Sequence, residues 1–436
     1  MTARATHHCR RRLPAGLLAL ALALATACAG GGDEEPALRG QRIEVLAVWS
    51  GTEQASFQRV IADFERRTGV GVSYASAGHG VPADLGARVA EGRPPDVAFL
   101  PQPGLLRSYA AEGKLVPLDD VAGDLVARNY GRVWRDLATW TGRLYGVWFK
   151  AANKSLVWYN VRAFERAGVV PPGDVNRLID VARALSASGV PAFSVGGADG
   201  WTLTDWFENL YLRTAGPERY DLLAGHHIPW TDESVREALA LLNRVLDPAL
   251  VAGGSDGAVA TSFETSVTQT FTTPPAAAMV FEGDFVAGFI ARRTSAQMDI
   301  DADVFPFPAV GPSAPTVVAG GDAAVLLRRS PAGEAFIRYL ATPEAAALWA
   351  SQGGFVSPNL NVDLSLYPDE ISRSVARRLL EAGDDFRFDL SDLQPAAFGG
   401  TAGQGLRGGL QEFLRTRDVD ATARRLEAEA AAAFGR

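Results

Sequence analysis

The chain has 436 residues and a formal net charge of −8, with 47% hydrophobic and 21% charged residues. This length exceeds what one ordinary hydrophobic core supports, so two or more lobes are predicted. The balance of hydrophobic and charged residues is that of a folded protein and excludes a disordered one. The negative charge argues against a general nucleic-acid binder, which would present a basic face.

The first 27 residues predict a signal peptide. Basic residues end at Arg12, an apolar stretch runs from 13 to 25, and small residues lead to Cys28. The apolar stretch is too short to span a bilayer, and its flanks are those of a segment that is removed. Its end resembles a bacterial lipobox, which implies that Cys28 becomes a lipidated first residue; plain secretion is the alternative. Residues 28–40 would then form a flexible tether.

Cysteine chemistry is excluded from the mature chain. The two cysteines are Cys9, which would leave with the signal peptide, and Cys28, which would carry the lipid. The rest of the chain therefore has no thiol for a structural disulfide, for a zinc site or for nucleophilic catalysis.

Strands and helices alternate in the next part of the sequence. Apolar runs at 43–49, 70–74 and 96–100 predict buried strands, and helical spacing over 57–64 and 84–91 predicts helices between them. This order predicts an α/β lobe with a mainly parallel sheet, in which ligands bind beyond the carboxyl ends of the strands. The candidate ligand-binding residues at that rim are Trp49, Ser50, Glu53, His79, Asp96 and Gln102.

The stretch 145–160 combines aromatic and polar side chains in an unusual density. A strand, a turn and a second strand are predicted, because aromatic and β-branched side chains suit a pleated surface. Trp148, Phe149, Lys150 and Asn153 are candidates for a ligand wall, with core packing as the alternative for the two rings.

Three later segments add polar and aromatic candidates. A helix is predicted over 200–212, with four such side chains at i, i+4, i+5 and i+8 on one face. A buried strand over 276–281 is followed by a polar turn, and a glycine turn lies near 320. The candidates are Trp201, Asp205, Trp206 and Asn209 on the helix, Glu282, Asp284 and Phe285 after the strand, and Gly320, Gly321 and Asp322 in the turn.

The order of these pieces resembles the extracellular solute-binding proteins of bacterial ABC importers, particularly the sugar-binding group. After a lipoprotein-like signal come a first strand ending in Trp49-Ser50-Gly51, a Pro-Pro-Asp-Val run at 94–97 and the stretch 145–160. The segment 277–285 and a late pair of glycines complete the pattern. The resemblance covers residues 40–436.

The resemblance implies a periplasmic-binding-protein-like type II fold, with two α/β lobes joined by a three-segment hinge and a ligand in the cleft. Closure of the cleft would favour productive contact with the ABC permease. The crossovers are expected near 148–151, 272–275 and 316–320. The first lobe would comprise 41–149 and 275–317, and the second lobe 150–274 and 318–436.

The function implied is capture of a carbohydrate, with an α-glucoside-like oligosaccharide favoured, because sugar clefts combine aromatic platforms with polar side chains. No catalytic residue, cofactor or metal ion is expected; the protein would be a monomer, lipid-anchored outside the cell membrane. One alternative is another polar solute such as a glycerol-phosphate ester, which would require an arginine in the cleft, where the sequence indicates none. The other is a secreted carbohydrate-active enzyme that uses paired carboxylates such as Glu282 and Asp284.

Two further patterns are not assigned a function. Residues Gly403 to Gly408 match the letters of the dinucleotide-binding fingerprint, but they follow no buried strand, so no cofactor is predicted there. The pair His226-His227 lacks metal-ligand spacing to a carboxylate and is predicted to lie in an exposed loop.

Overall fold

The computed structural model describes residues 38–313 and 316–435. The predicted signal peptide, Cys28 and most of the predicted tether lie outside the described residues. The strands are β1 (Arg42–Ala47), β2 (Gly71–Ser76), β3 (Val97–Leu100), β4 (Thr139–Trp140), β5 (Arg143–Leu144), β6 (Gly146–Asn153), β7 (Leu156–Asn160), β8 (Met279–Phe281), β9 (Ala302–Pro306), β10 (Val318–Leu326) and β11 (Arg387–Phe388).

Helices connect and flank these strands, and among the described residues none has both the length and the hydropathy needed to cross a membrane. The helices are α1 (Gly51–Thr68), α2 (Val81–Ala90), α3 (Pro103–Ala111), α4 (Asp119–Asn129), α5 (Arg132–Leu137), α6 (Val161–Ala167), α7 (Val175–Ala187), α8 (Trp201–Ala215), α9 (Pro217–Ala224), α10 (Glu233–Val245), α11 (Gly254–Ala260), α12 (Phe263–Phe271), α13 (Val286–Arg293), α14 (Pro331–Leu340), α15 (Pro343–Ala350), α16 (Glu370–Ala382), α17 (Leu390–Leu393), α18 (Gly405–Thr416) and α19 (Val419–Ala433).

The first sheet has the strand order β11-β10-β3-β1-β2, and β6 also pairs with β10. β1 is parallel to β2 and β3, whereas β10 is antiparallel to β3 and β6. On α1, Phe57, Val60, Ile61 and Phe64 are buried in the same core, as their helical spacing predicts. Gly69 ends this helix with φ of 75°, a left-handed conformation that glycine adopts without strain.

The second sheet has the order β8-β7-β9, with both pairs antiparallel. Its core is separate from the first and includes Val157, Phe281 and Phe305 from the sheet, with Trp206 of α8 and Leu239 of α10. Residues on the other face of this sheet, such as Trp158 and Val280, pack in the first core. Two cores, one centred on each sheet, confirm the α/β fold with two lobes.

Strand pairing corrects the expected division between the lobes. β8 and β9 lie beside β7 in the second sheet, although the sequence analysis assigns 275–317 to the first lobe. β10 and β11 extend the first sheet, and Phe336 of α14 and Trp349 of α15 enter its core, although 318–436 is assigned to the second lobe. The reason is that β10 pairs with β3 and β6 at once, a long-range arrangement that no local pattern encodes. Within 318–436, α18 and α19 do pack in the second core.

An irregularity in β6 turns Trp148 away from the neighbouring Lys150. The pairing with β10 joins Asp322 to Lys150 and Ala323 to Trp148, so Phe149 is an extra residue, as in a β-bulge. The Trp148 ring packs against Trp134 and Phe388, with centroids 5.5 and 5.1 Å away, and is only 2% exposed. Phe149 packs on the other side, among Trp49 and its neighbours. Both rings belong to the core, which corrects the expectation that they face a ligand.

Replacing Trp148 with alanine should therefore lower the free energy of unfolding by about 3–5 kcal/mol, since a large buried ring leaves a cavity. The measurement is equilibrium unfolding in urea. Trp140→Ala is the matched control, because Trp140 is 37% exposed and its loss should change the free energy by less than about 0.5 kcal/mol. Equal stabilities of the two variants would contradict the core position of Trp148.

Candidate ligand-binding site

A cavity of about 380 Å³ lies where residues of both lobes meet. The first sheet supplies the end of β1, the start of α1 and the facing strands β6 and β10, while α8, α12, α13 and the corner before α18 supply the opposite wall. Of the residues predicted from the sequence, the cavity brings together Trp49, Ser50, Glu53, Gln102, Lys150, Trp201, Phe285, Gly321 and Asp322. His79 follows Gly78, which also lines the cavity.

Lys150 forms the centre of one charged group on the cavity floor. Its ammonium pairs with Glu53 of α1, and Asp322 lies opposite it in the β6–β10 ladder. The same ammonium lies 5.5 Å from the ring centroids of Phe285 and Trp349, within the range of cation–π attraction. Burial opposes the charge of Lys150, but the surrounding carboxylates outweigh it, so the pKa of Lys150 lies above its usual value.

Trp49 connects this floor to the core. Its indole Nε1 donates to the Asp322 carboxylate at 3.1 Å, and its ring packs at 4.6 Å from Phe99 and 4.8 Å from Trp349. Burial raises the pKa of Asp322 to about 6. Trp49 therefore orients a cleft carboxylate while most of its own surface is packed against other rings.

Lys154 is the centre of a second charged group and was not predicted. Its ammonium contacts Asp205 of α8 at 3.1 Å and also pairs with Asp389, which precedes α17. The stem of Lys154 lies over Gly320, where an added Cβ would be 2.8 Å from the lysine Cε. A side chain at position 320 would therefore displace the end of Lys154 from its ion pairs, and among these four residues only Lys154 and Asp389 line the cavity.

Lys154 is a single cation among several buried carboxyl groups, so it cannot neutralise all of them. Burial raises the pKa of Asp205 to about 7 and moves the pKa values of Glu208 and Glu282 well above their usual range. Burial also opposes the charge of Asp389, but contact with Lys154 lowers its pKa below the usual value. The single cation therefore keeps Asp389 ionised, and the other carboxyls tend to hold protons.

Oxygens of Asp205, Glu208 and Asp389 lie within 4.8 Å of one another, close enough to hold a metal ion. The Lys154 ammonium already contacts two of the three carboxylates. The Glu208 oxygens also accept the backbone N–H groups of residues 390 and 391 at 2.8 and 3.0 Å. Protein donors therefore already engage all three carboxyl groups, although Asp205 Oδ2 accepts no hydrogen bond from the described residues, and we assign no metal ion to the group.

Three predicted candidates lie directly beneath the cavity. Asn153 Oδ1 accepts from the backbone of Ser155, and Asn209 Oδ1 accepts from the Ser155 hydroxyl at 2.7 Å. Asp284 accepts the backbone N–H of Asn153 at 2.6 Å, and burial raises its pKa to about 6. These groups fix the segment that carries Lys154, and they do not reach the cavity lining.

Two other predicted candidates are remote from the cavity. Asp96 lies at the start of β3, at the opposite end from the rim, where it pairs with Arg328 at 3.0 Å. Trp206 is in the second core, with its ring centroid 4.5 Å from that of Phe281. Trp201 and Trp206 are five residues apart on α8, so their side chains project about 140° apart and reach the cleft and the second core, respectively.

The cavity lining contains further residues that the sequence analysis missed, among them an arginine. The signal available for Lys154 was its rarity, because the chain contains three lysines and two of them line this cavity. The others come from helix ends and corners with no recognisable pattern. The missed lining residues with functional side chains are Lys154, Asp199, Phe263, Glu264, Phe289, Asp389, Ser391, Asp392 and Arg407.

The sequence profile of the bacterial extracellular solute-binding protein family matches residues 49–347. The chain belongs to this family. Among relatives of this solute-binding protein, the osmoprotective compounds-binding protein GgtB of Synechocystis is 35% identical over 88% of this chain and 91% of its own. The alpha-glucosides-binding periplasmic protein AglE of Rhizobium meliloti is 34% identical over 84% and 82%.

Solved structures agree on the fold of this solute-binding protein. The bacterial solute receptor AcbH, described as preferring β-D-galactopyranose, superposes with a TM-score of 0.80 at 21% identity, covering 90% of this chain and 99% of its own. At that identity the likeness shows the fold, and it confirms the type II architecture of two lobes around a cleft.

Replacing Lys154 with methionine should lower the free energy of unfolding at neutral pH by about 3–5 kcal/mol, because it leaves buried carboxylates without their cation. Without Lys154 the folded-state pKa of Asp389 would rise above its unfolded value. The variant would then lose stability as pH rises. The difference in free energy of unfolding between the wild type and the variant should therefore be smaller near pH 4 than at pH 7.

Thermal unfolding across that pH range measures this effect. Lys114→Met is the control, since Lys114 is exposed and its loss should change little at either pH. A deficit that is absent, or that grows toward acid pH, would contradict the role given to Lys154.

Proposed function

We propose that this protein captures a short glycoside, with an α-glucoside favoured, and delivers it to an ABC permease. The observation that carries the proposal is a cavity that combines aromatic rings with charged side chains. Trp201 lies with Phe263 and Phe285, at centroid distances of 5.2 and 6.0 Å, and the three rings line the same cavity as Lys150 and Asp322. Sugar rings bind by stacking a C–H face on an aromatic ring while their hydroxyls contact charged side chains.

The size of the cavity and the known relatives support the same ligand class. A volume of about 380 Å³ is near the lower end of ligand pockets, which span about 300–1,000 Å³, and it favours a small saccharide over a long chain. The relatives named for alpha-glucosides and for osmoprotective compounds align over more than four fifths of this chain.

A phosphate ester is less well supported. An arginine does line the cavity, contrary to the expectation from the sequence, but carboxylates exceed cations in the lining. A doubly charged phosphate would meet this excess of negative charge at short range. The charged lining residues are Glu53, Asp199, Glu264, Asp322, Asp389 and Asp392 against Lys150, Lys154 and Arg407.

We also propose that the protein is not an enzyme. The pair Glu282 and Asp284, on which a glycosidase would depend, is buried, and neither residue lines the cavity. Asp284 is engaged by the backbone of Asn153 at 2.6 Å. The curated relatives are binding proteins.

In a binding protein of this kind, closure of the cleft around the ligand would distinguish the loaded form from the empty form for the permease.

The test is a melting screen with trehalose, maltose, sucrose and glucosylglycerol. A ligand present at a hundred times its Kd adds about 2.7 kcal/mol to the free energy of unfolding, which raises the melting temperature measurably. Trp201→Ala should weaken binding roughly tenfold through loss of the stacking face, whereas Trp140→Ala should not. No shift with any glycoside would refute the sugar assignment, and release of free glucose during incubation would favour the enzyme.

We propose further that Cys28 carries a lipid anchor and that the protein acts as a monomer outside the cell membrane. The support is the resemblance of residues 25–28 to a lipobox. Expressed in a bacterial host with its own leader, the wild type should fractionate with membranes. Cys28→Ser should move it to the soluble extracytoplasmic fraction, since a lipid chain is the proposed attachment. Unchanged fractionation would support plain secretion.

A further inference from the structure

The corner that leads into α18 has the letters of a dinucleotide fingerprint but a different structural role. Its glycines permit close backbone contacts: an added Cβ at Gly405 would lie 2.0 Å from the carbonyl oxygen of Phe398, and one at Gly408 would lie 2.4 Å from that of Gly403. Gly405 also has φ of 52°, in the left-handed region. The motif therefore builds a tight corner, and the side chain that it places in the cleft is Arg407.

Arg407 is a buried cation without a partner. The residue is 8% exposed and lines the cavity. Among the described residues, its guanidinium makes no hydrogen bond or ion pair, and its Nε is fully enclosed without an acceptor. Burying an unpaired charge is costly, and buried guanidinium groups are normally held by planar or paired acceptors. An acceptor that enters the cleft would satisfy it.

The position of Arg407 is fixed by its surroundings. Gly200, at the start of α8, has φ of 76°, and an added Cβ there would lie 2.9 Å from the Arg407 Cβ. One turn further along α18, Gln411 donates to the carbonyl oxygens of Gly197 and Ala198 at 2.9 and 3.0 Å. Arg407 is thereby held beside Trp201, the residue that follows Gly200 and supplies one of the aromatic rings of the cavity.

Asp392 complements Arg407 across the same part of the lining. It is 7% exposed, and among the described residues its carboxyl group accepts no hydrogen bond. Burial and the neighbouring Asp389 raise the pKa of Asp392 well above its usual value, against the opposing charges of Lys154 and Arg407. The side chains of Asp392 and Arg407 interact electrostatically without forming an ion pair within 4 Å, so they can both face a ligand group placed between them.

We propose that Arg407 and Asp392 bind two adjacent hydroxyl groups of a sugar ring that stacks on Trp201. This inference rests on the proposed function and specifies the part of the ligand that this corner recognises. A vicinal diol offers two acceptor oxygens to the guanidinium fork and donates to the carboxyl group. A ligand carboxylate would also fit Arg407, but the excess of carboxylates in the lining disfavours it.

Titration calorimetry with trehalose, maltose and sucrose tests the assignment. For whichever of these the wild type binds, Arg407→Met should weaken binding by about ten- to a hundredfold, the range expected for lost hydrogen bonds to a charged group. The affinity of Arg407→Lys should lie between those of the wild type and Arg407→Met, because an ammonium keeps the charge but cannot form two parallel hydrogen bonds. Arg415→Met, an exposed arginine on the same helix, is the control and should bind as the wild type does.

Further readouts separate ligand contact from a structural role. Without ligand, Arg407→Met should melt no lower than the wild type, because an unpaired buried charge has been removed; a clearly lower melting temperature would overturn the assignment. The double variant Asp392→Asn, Arg407→Met should lose less binding free energy than the two single variants lose together, since both side chains bind one diol. Additive losses would contradict a shared diol.

The outcomes of ligand binding are also distinguishable. Equal binding by the wild type and Arg407→Met would refute this inference and leave the proposed function standing. If the wild type prefers methyl α-D-glucuronide and Arg407→Met loses this preference, the group that Arg407 recognises is a ligand carboxylate and not a diol. A wild type that binds none of the three disaccharides and shows no melting shift with any glycoside would refute both the inference and the proposed function.

Discussion

The cleft depends on one electrostatic constraint: the two lysines in and just after β6 must be neutralised by carboxylates from other elements. Lys150 of β6 is buried, the side chain of Lys154 just beyond that strand is 12% exposed, and each is held by carboxylates from other parts of the chain. Glu53 comes from α1, Asp205 from α8 and Asp389 from the segment after β11. Two ammonium groups thus connect elements of both lobes, and the polar floor exists because each charge has a partner that is fixed by a different element.

Much of the fold was accessible from local sequence pattern. Apolar runs and helical spacing predicted the alternation of β1, α1, β2 and β3, because burial of one helix face leaves a period that can be read directly. The rim of a parallel sheet then placed Trp49 and Glu53 correctly. The membership of β10 was missed, since its two partners, β3 and β6, are far away in sequence and its own composition suits either sheet.

The site was less accessible, for two physical reasons. A single extra residue in β6, Phe149, reverses the face on which Trp148 lies, and a bulge of this kind has no sequence signature here. The second reason concerns contacts between residues far apart in sequence. Lys154 pairs with Asp389, whereas Arg407 forms no ion pair among the described residues. Asp389 lies in a short connection and Arg407 in the first turn of α18, and at neither position does a local pattern show which side chain faces the cleft.

The scarcity of lysine has a practical consequence for handling this molecule. Lys114 is exposed, whereas the ammonium groups of Lys150 and Lys154 are held in ion pairs with carboxylates. An amine-reactive dye or resin would therefore meet one accessible lysine side chain in the folded chain, just after α3 and outside the cavity lining. Immobilisation through that side chain would attach the molecule at a point away from the cavity, a property useful for a surface-based saccharide sensor.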